Sequence, residues 1–262
     1  MKETLEALYG RLNRREFVNP DPLIFLYAYD DVRDREIAGL IAACLAYGRV
    51  ARILHSVGTV LSVMGASPTI YLRDASERRM GRDFANFTHR FAKGPQLTAL
   101  LSGMGRVIRD FGSLNDCFRA GLDPHDKTTA PALGTFARHL VTRCASSSDP
   151  GHLMPCPEKG SACKRLHLYL RWMVRRDAVD PGGWHGISPA RLLVPVDVHM
   201  FRMARKLGLT DRNQADLRAA LEITDGFRKW SPEDPVRYDF SLTRLGLRKD
   251  FGDIPEAIAV LT

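Results

Sequence analysis

The segment Ile37-Ala38-Gly39-Leu40-Ile41-Ala42-Ala43-Cys44-Leu45-Ala46 is apolar on nearly all sides of the helix it would form, and it is rich in small side chains. A helix without a polar face has to be surrounded, and small residues let its neighbours pack closely. Other parts of the chain carry periods suited to surrounding it. Leu5, Leu8 and Leu12 share one side of residues 2–13, and Val50, Ile53, Leu54, Val57, Val60 and Leu61 continue a helical period after Tyr47-Gly48-Arg49. Asn19-Pro20-Asp21-Pro22 reads as a turn and cap that opens a helical apolar run from Leu23 to Tyr29. Helical patterns recur at 97–111, 130–144, 161–176, about 197–207, 212–226 and 235–247. Residues 65–95 mix Gly, Pro and charge with short apolar pieces that include Phe84, Phe87 and Phe91. Ala145-Ser146-Ser147-Ser148-Asp149-Pro150-Gly151 is the strongest loop signal, and 177–193 forms a long connection. There is no β-rich region and no tandem repeat. The expectation is an all-α fold with an N-terminal helical region over 1–150 and a C-terminal one over 151–262.

A chain of 262 residues can bury a sizeable core. Its formal charge of +8, from 38 Lys and Arg against 30 Asp and Glu, suits a polyanionic partner, since each neutralised phosphate releases counterions. Cys44, Cys117, Cys144, Cys156 and Cys163 are odd in number and include no CxxC pair, which argues against a disulfide framework and a structural zinc site. No metal or cofactor is expected. The charged N-terminus lacks a signal-type apolar core, and no run of 18 apolar residues exists, so a cytoplasmic protein without a membrane span is expected.

The clearest chemical signal is Leu193-Val194-Pro195-Val196-Asp197-Val198-His199-Met200-Phe201-Arg202. An apolar, Pro-stiffened approach leads into a helical period through Val198, Phe201 and Leu207, with Gly208 as its stop. Asp197 therefore sits at a helix N-terminus, where amide N–H groups and the dipole favour a negative charge. Residue type and spacing alone fit a plain N-cap equally well.

The sequence around Asp197 closely resembles the segment bearing the catalytic aspartate of the helix-hairpin-helix DNA glycosylases. The likeness is greatest to the 8-oxoguanine DNA glycosylases, including the archaeal type, and looser to endonuclease III. The whole chain also resembles a bacterial family of helix-hairpin-helix-like proteins without an assigned activity. The resemblance implies a two-lobed helical fold with the active site between lobes, acting as a monomer on damaged double-stranded DNA in the nucleoid. It implies base excision with strand cleavage, at 8-oxoguanine foremost. A glycosylase for another damaged base and a catalytically silent nucleic-acid-binding module are the competing readings. No cysteine follows Cys163, so the iron–sulfur cluster of some endonuclease III relatives is not expected.

In the family an amine nucleophile opens the helix before the aspartate. Lys164, in Lys159-Gly160-Ser161-Ala162-Cys163-Lys164-Arg165-Leu166, occupies that place, and Asp197 follows 33 positions later. Most family members have a shorter interval; the insertion from Arg176 to Arg191 accounts for the difference. The positive end of a helix dipole and the neighbouring Arg165 both favour a neutral amine at Lys164. The bland alternative is a solvated surface lysine.

The resemblance extends to Leu40–Ile53. It makes Tyr47 the wedge that fills the space of a flipped base, Gly48 a point of close backbone approach, and Arg52 a reader of the opposite base. Tyr47 packed on the core and Gly48 as a helix stop are the structural alternatives. Trp172 and Trp184 are candidates to stack on a flipped base, though large aromatics on helices are more often core. Asp239 is a candidate to accept from a purine N–H, with Phe240 beside it. Lys159, Gly160, Arg165, His199, Arg202, Arg205 and Lys206 are the candidate phosphate contacts. The hairpin before Lys164, Pro155-Cys156-Pro157-Glu158-Lys159-Gly160, departs from the family's glycine-rich form and keeps only Gly160.

Overall fold

The computed structural model describes residues 1–144, 149–155, 157 and 160–247, and these are predominantly helical. The fold is all-α. The apolar segment that dominates the sequence becomes α2 (Val32–Leu45), capped by Asp31, whose carboxylate accepts from the Arg33 amide at 2.8 Å. Every residue from Glu36 to Leu45 is buried. Five elements enclose it: the 3₁₀ turn Pro22–Ala28, α3 (Val50–Met64), α4 (Pro68–Asp74), α7 (Leu114–Ala120) and α9 (Lys164–Val174). Close packing depends on the small residues. A methyl group at Gly39 would stand 3.2 Å from both Leu26 and Tyr169.

α6 (Gly94–Phe111) packs against α4, α5 (Glu77–Asp83), α7 and α8 (Ala130–Thr142). Separately, α1 (Lys2–Leu12) packs on α12 (Asp239–Leu247), which also receives α10 (Val198–Lys206). α11 (Leu217–Arg228) follows α10 in the chain. A single hydrophobic core runs from Leu5 to Leu245 and draws on both halves of the sequence. Among the described residues no single helix is long and apolar enough to cross a membrane.

Three seven-residue helices and a small ribbon lie where the sequence carries no usable period. α4, α5 and α7 start at Ser67, Ser76 and Ser113, whose hydroxyls each accept from an amide three residues on. Two turns are too short for amphipathic spacing to register, so the caps and tertiary packing define them. The ribbon pairs β1 (Thr88–His89) with β2 (Ala92–Lys93) around the turn Arg90-Phe91. The run after Pro22 is a 3₁₀ turn, capped by Asp21, rather than an α-helix.

The insertion 177–193 is a staple. Gly182 and Trp184 donate their amides to the carbonyls of Trp172 and Met173 at 3.0 and 2.8 Å, folding the segment back along α9. Trp184 then enters the core beside Phe118, Phe136 and Tyr169, and its indole N–H donates to Glu36 at 2.8 Å. Trp184 is thus a core residue, removed from any base-stacking role by its own packing.

Candidate active site

Pro195 and Val196 bring the chain to the surface in extended, buried form, and Asp197 ends that approach as the N-cap of α10. Its Oδ1 accepts from the Met200 amide at 2.8 Å. Its Oδ2 stands 3.2 Å from Lys164 Nζ. One carboxylate therefore does two jobs, capping a helix with one oxygen and meeting an amine with the other. At its far end α10 closes as expected: Gly208, at φ +66°, lets the Leu209 amide reach back to Ala204 at 2.9 Å and its own amide reach Arg205 at 3.0 Å.

Lys164 is the first residue of α9. The turn before it is sharp, with Cys163 left-handed at φ +42°. It is fastened to the start of α11, where Ser161 bridges Asp216 and the Leu217 amide donates to Gly160 at 3.0 Å. Two segments 33 residues apart are thereby held with their amine and carboxylate in contact. The Lys164 side chain is 35% exposed and that of Asp197 21%, so both remain accessible.

They line a cavity of about 570 Å³, a size ordinary for small-molecule sites. Its walls come from the α2–α3 junction, the first two turns of α9, the approach to α10 and the start of α12. Trp172, two turns along α9 from Lys164, lines it and is buried, and its indole N–H has no partner among the described residues. Phe240 also lines it, with the guanidinium groups of Arg244 and Arg171 at 4.7 and 5.9 Å from its ring centre.

Asp239 lines the cavity as expected, but its partner differs from the one inferred. It is buried and ion-paired to Arg171, so that oxygen is not free for a purine N–H. Burial, with a smaller push from Asp197, holds its carboxyl up at about 6 against the opposing pull of Arg171. Arg171 in turn donates to Asp180 at 3.2 Å, and Asp180 also pairs with Arg175. Arg175 extends the network to Asp177 at 2.8 Å and Asp234 at 2.9 Å. Sequence reading passed over Arg171. The available signal was a guanidinium inside Leu168–Val174, an otherwise apolar stretch that ought to carry no charge unless one is buried and paired.

The rim holds the remaining candidates. Tyr47 lines the cavity, half-buried; its hydroxyl donates to the His89 carbonyl at 3.0 Å, and its ring meets His89 and His152 edge-on at 4.6 and 4.8 Å. That ring is built into the wall. His89 Nε2 donates to the Tyr47 carbonyl at 3.1 Å, which leaves Nδ1 to accept from Ser56 at 2.9 Å. Burial lowers the affinity of His89 for a second proton. Gly48 sits at φ +101°, where side-chain-bearing residues are strained, and turns the chain from α2 into α3. Arg52 is exposed and donates to the Thr88 carbonyl at 3.2 Å, pinning the ribbon.

Two candidate phosphate contacts have partners within the chain. Arg165 donates to the backbone carbonyls of Cys44, His152 and Leu153, and its guanidinium lies 4.9 Å from the Tyr47 ring centre. It clamps the wall together. The Gly160 amide donates to the Pro157 carbonyl at 3.0 Å, so the turn uses internally the group expected to bind phosphate. Lys159 lies outside the described residues. His199, Arg202, Arg205 and Lys206 are exposed on α10, beginning two residues past Asp197.

One family model, described as Protein of unknown function (DUF2400), matches residues 21–248, which include all of the cavity lining but Pro20. The chain belongs to that family. No curated protein and no solved structure matches it.

Proposed function

We propose that this member of the DUF2400 family is a bifunctional DNA glycosylase and lyase, which excises an oxidised purine, 8-oxoguanine foremost, from double-stranded DNA and cuts the strand at the resulting site. In this reading the cavity is the base pocket of a two-lobed helix-hairpin-helix enzyme. The observation that carries it is the 3.2 Å approach of Lys164 Nζ to Asp197 Oδ2 inside an accessible cavity. A primary amine at the start of one helix, paired with the carboxylate that caps another, suits attack at an anomeric carbon. The basic face of α10 beside it suits a phosphate backbone.

A nucleotide turned out of the duplex presents C1′ to Lys164. Asp197 takes the proton that the ammonium must lose, and the amine forms a C1′–N bond as the glycosidic bond breaks. The bonding pair leaves with the base, which takes up the proton held by Asp197 as it departs. Positive charge growing on the sugar lies beside the Asp197 carboxylate. Opening of C1′–O4′ gives an iminium; loss of a C2′ proton then expels the 3′ phosphate, and water releases Lys164.

The test is borohydride trapping and strand cleavage on a duplex with one 8-oxoguanine opposite cytosine. Wild type is expected to give a trapped adduct that Lys164→Gln abolishes and Asp197→Asn strongly reduces. Wild-type inactivity here and on an abasic duplex, with DNA still bound, would overturn the lyase and favour a binding module on the same fold.

A further inference from the structure

The most exposed large apolar side chain among the described residues is Phe91, at 68%, and it stands at the tip of the β1–β2 ribbon. Isolated exposed hydrophobics are common, so position decides whether this one matters. The ribbon's inner face is buried: His89 and Ala92 face inward, Thr88 and Lys93 face out, and Phe84 and Phe87 just before it are core. At the tip alone does the ribbon expose a large apolar ring.

That tip is joined to the cavity by a chain of rings. Phe91 meets His152 edge-on at 5.6 Å, His152 meets Tyr47 at 4.8 Å, and Tyr47 lines the cavity. The base of the ribbon is fixed by the paired hydrogen bonds between Tyr47 and His89, by His89 with Ser56, and by Arg52 on the Thr88 carbonyl. Arg90, left-handed at φ +53°, turns the tip outward and holds its guanidinium 5.3 Å from the Phe91 ring centre. Arg90 and Lys93 are both exposed, so an apolar ring is flanked by two cations. The next most exposed large hydrophobic, Val198 at 61%, directly follows Asp197 at the cavity's other border. A rigidly mounted phenyl ring between cations fits a partner with stacked apolar planes inside an anionic backbone, which is duplex DNA.

We infer that Phe91 is the wedge: it enters the base stack and occupies the space vacated by the nucleotide turned toward Lys164, while Tyr47 is fixed wall. The inference rests on the DNA-lyase reading, and its test separates the two. Wild type, Phe91→Ala and Phe91→Trp are compared for borohydride trapping on an abasic site in duplex and in single-stranded DNA. A parallel duplex carries 2-aminopurine beside the abasic site to report unstacking. Stacking of a side chain on bases predicts that the duplex-to-single-strand trapping ratio falls about ten- to hundredfold in Phe91→Ala, with loss of the 2-aminopurine signal, and that Phe91→Trp restores both. An unchanged ratio and signal in Phe91→Ala overturns the wedge and leaves the lyase reading standing. If wild type traps neither substrate, both readings fall.

Discussion

Asp197 shows how two readings of one residue can both hold. It is the N-cap its position promised, through Oδ1 and Met200, and the amine's partner through Oδ2. The two roles separate by substitution. Asn caps a helix about as well as Asp, and a partly exposed ion pair contributes little, so Asp197→Asn should shift unfolding free energy by less than about 1 kcal/mol. Removing the carboxylate should nonetheless cut trapping by about 10²- to 10⁴-fold. Asp197→Ala should cost about 1 kcal/mol more stability, because the cap is gone. Urea denaturation alongside trapping reads both effects, and parallel losses in the two assays would sink the distinction. His167, one turn beyond Lys164, is wholly enclosed, and burial pushes its ring down to about 4. The unfolded chain binds that proton near pH 6.5, so between 6.5 and 4 it holds more protons than the folded one. This contribution is complete above about pH 6.5 and is lost as pH falls toward 4, by about 3 kcal/mol. Glu36, pushed up to about 7 by its burial, has the opposite slope, so the informative quantity is a difference between variants. Urea curves for wild type and His167→Gln at pH 7.5 and 5 should show the smaller acid loss in the variant. Equal losses would mean that His167 does not titrate in this way.

At the scale of elements, long periodic helices were legible and short capped ones were not. Residues 2–13, 97–111, 130–144 and 197–207 became α1, α6, α8 and α10 to within a few residues, because their apolar faces are long enough to repeat, although α10 buries Met200, Met203 and Ala204 and leaves Val198, expected on its buried side, exposed. The ribbon that carries Phe91 escaped, since two-residue strands have no alternation to detect. α10 carries the element-level prediction. Its basic side chains Arg202, Arg205 and Lys206 are exposed next to the Asp197 cap. Replacing all three with Gln should reduce the slope of log affinity against log salt by about 0.9 for each phosphate that is no longer neutralised. Duplex binding measured across a salt series gives that slope directly. An unchanged slope would place the DNA on another face.

Across the whole molecule, the buried Arg and Asp network joins parts of the chain that are far apart in sequence. Arg171 on α9 and Arg175 just past its end hold Asp180 from the insertion and Asp239 and Asp234 from the C-terminal segment, while Asp177 accepts from Tyr9 and Asn13 near the N-terminus. Arg171→Met would strand buried carboxylates, and about 3–5 kcal/mol of stability should be lost. Chemical denaturation measures it; a loss under about 1 kcal/mol would mean that the network relaxes or takes in water. The same network supports the cavity through Asp239, so the insertion Arg176 to Arg191 is tied to the site without contributing a residue to its wall. By itself the sequence determined the helical class, the buried central helix and the cap at Asp197, because each follows from short-range spacing, turn chemistry or the helix dipole; the helix start at Lys164 came from the family resemblance, the spacing alone having placed it at 161. Only the tertiary structure decided that Lys164 and Asp197 meet, that Arg165 and Asp239 are committed to internal partners, that Trp184 is core, and that Phe91 stands out at the rim. Those outcomes depend on which distant segments share space, and no local pattern encodes that.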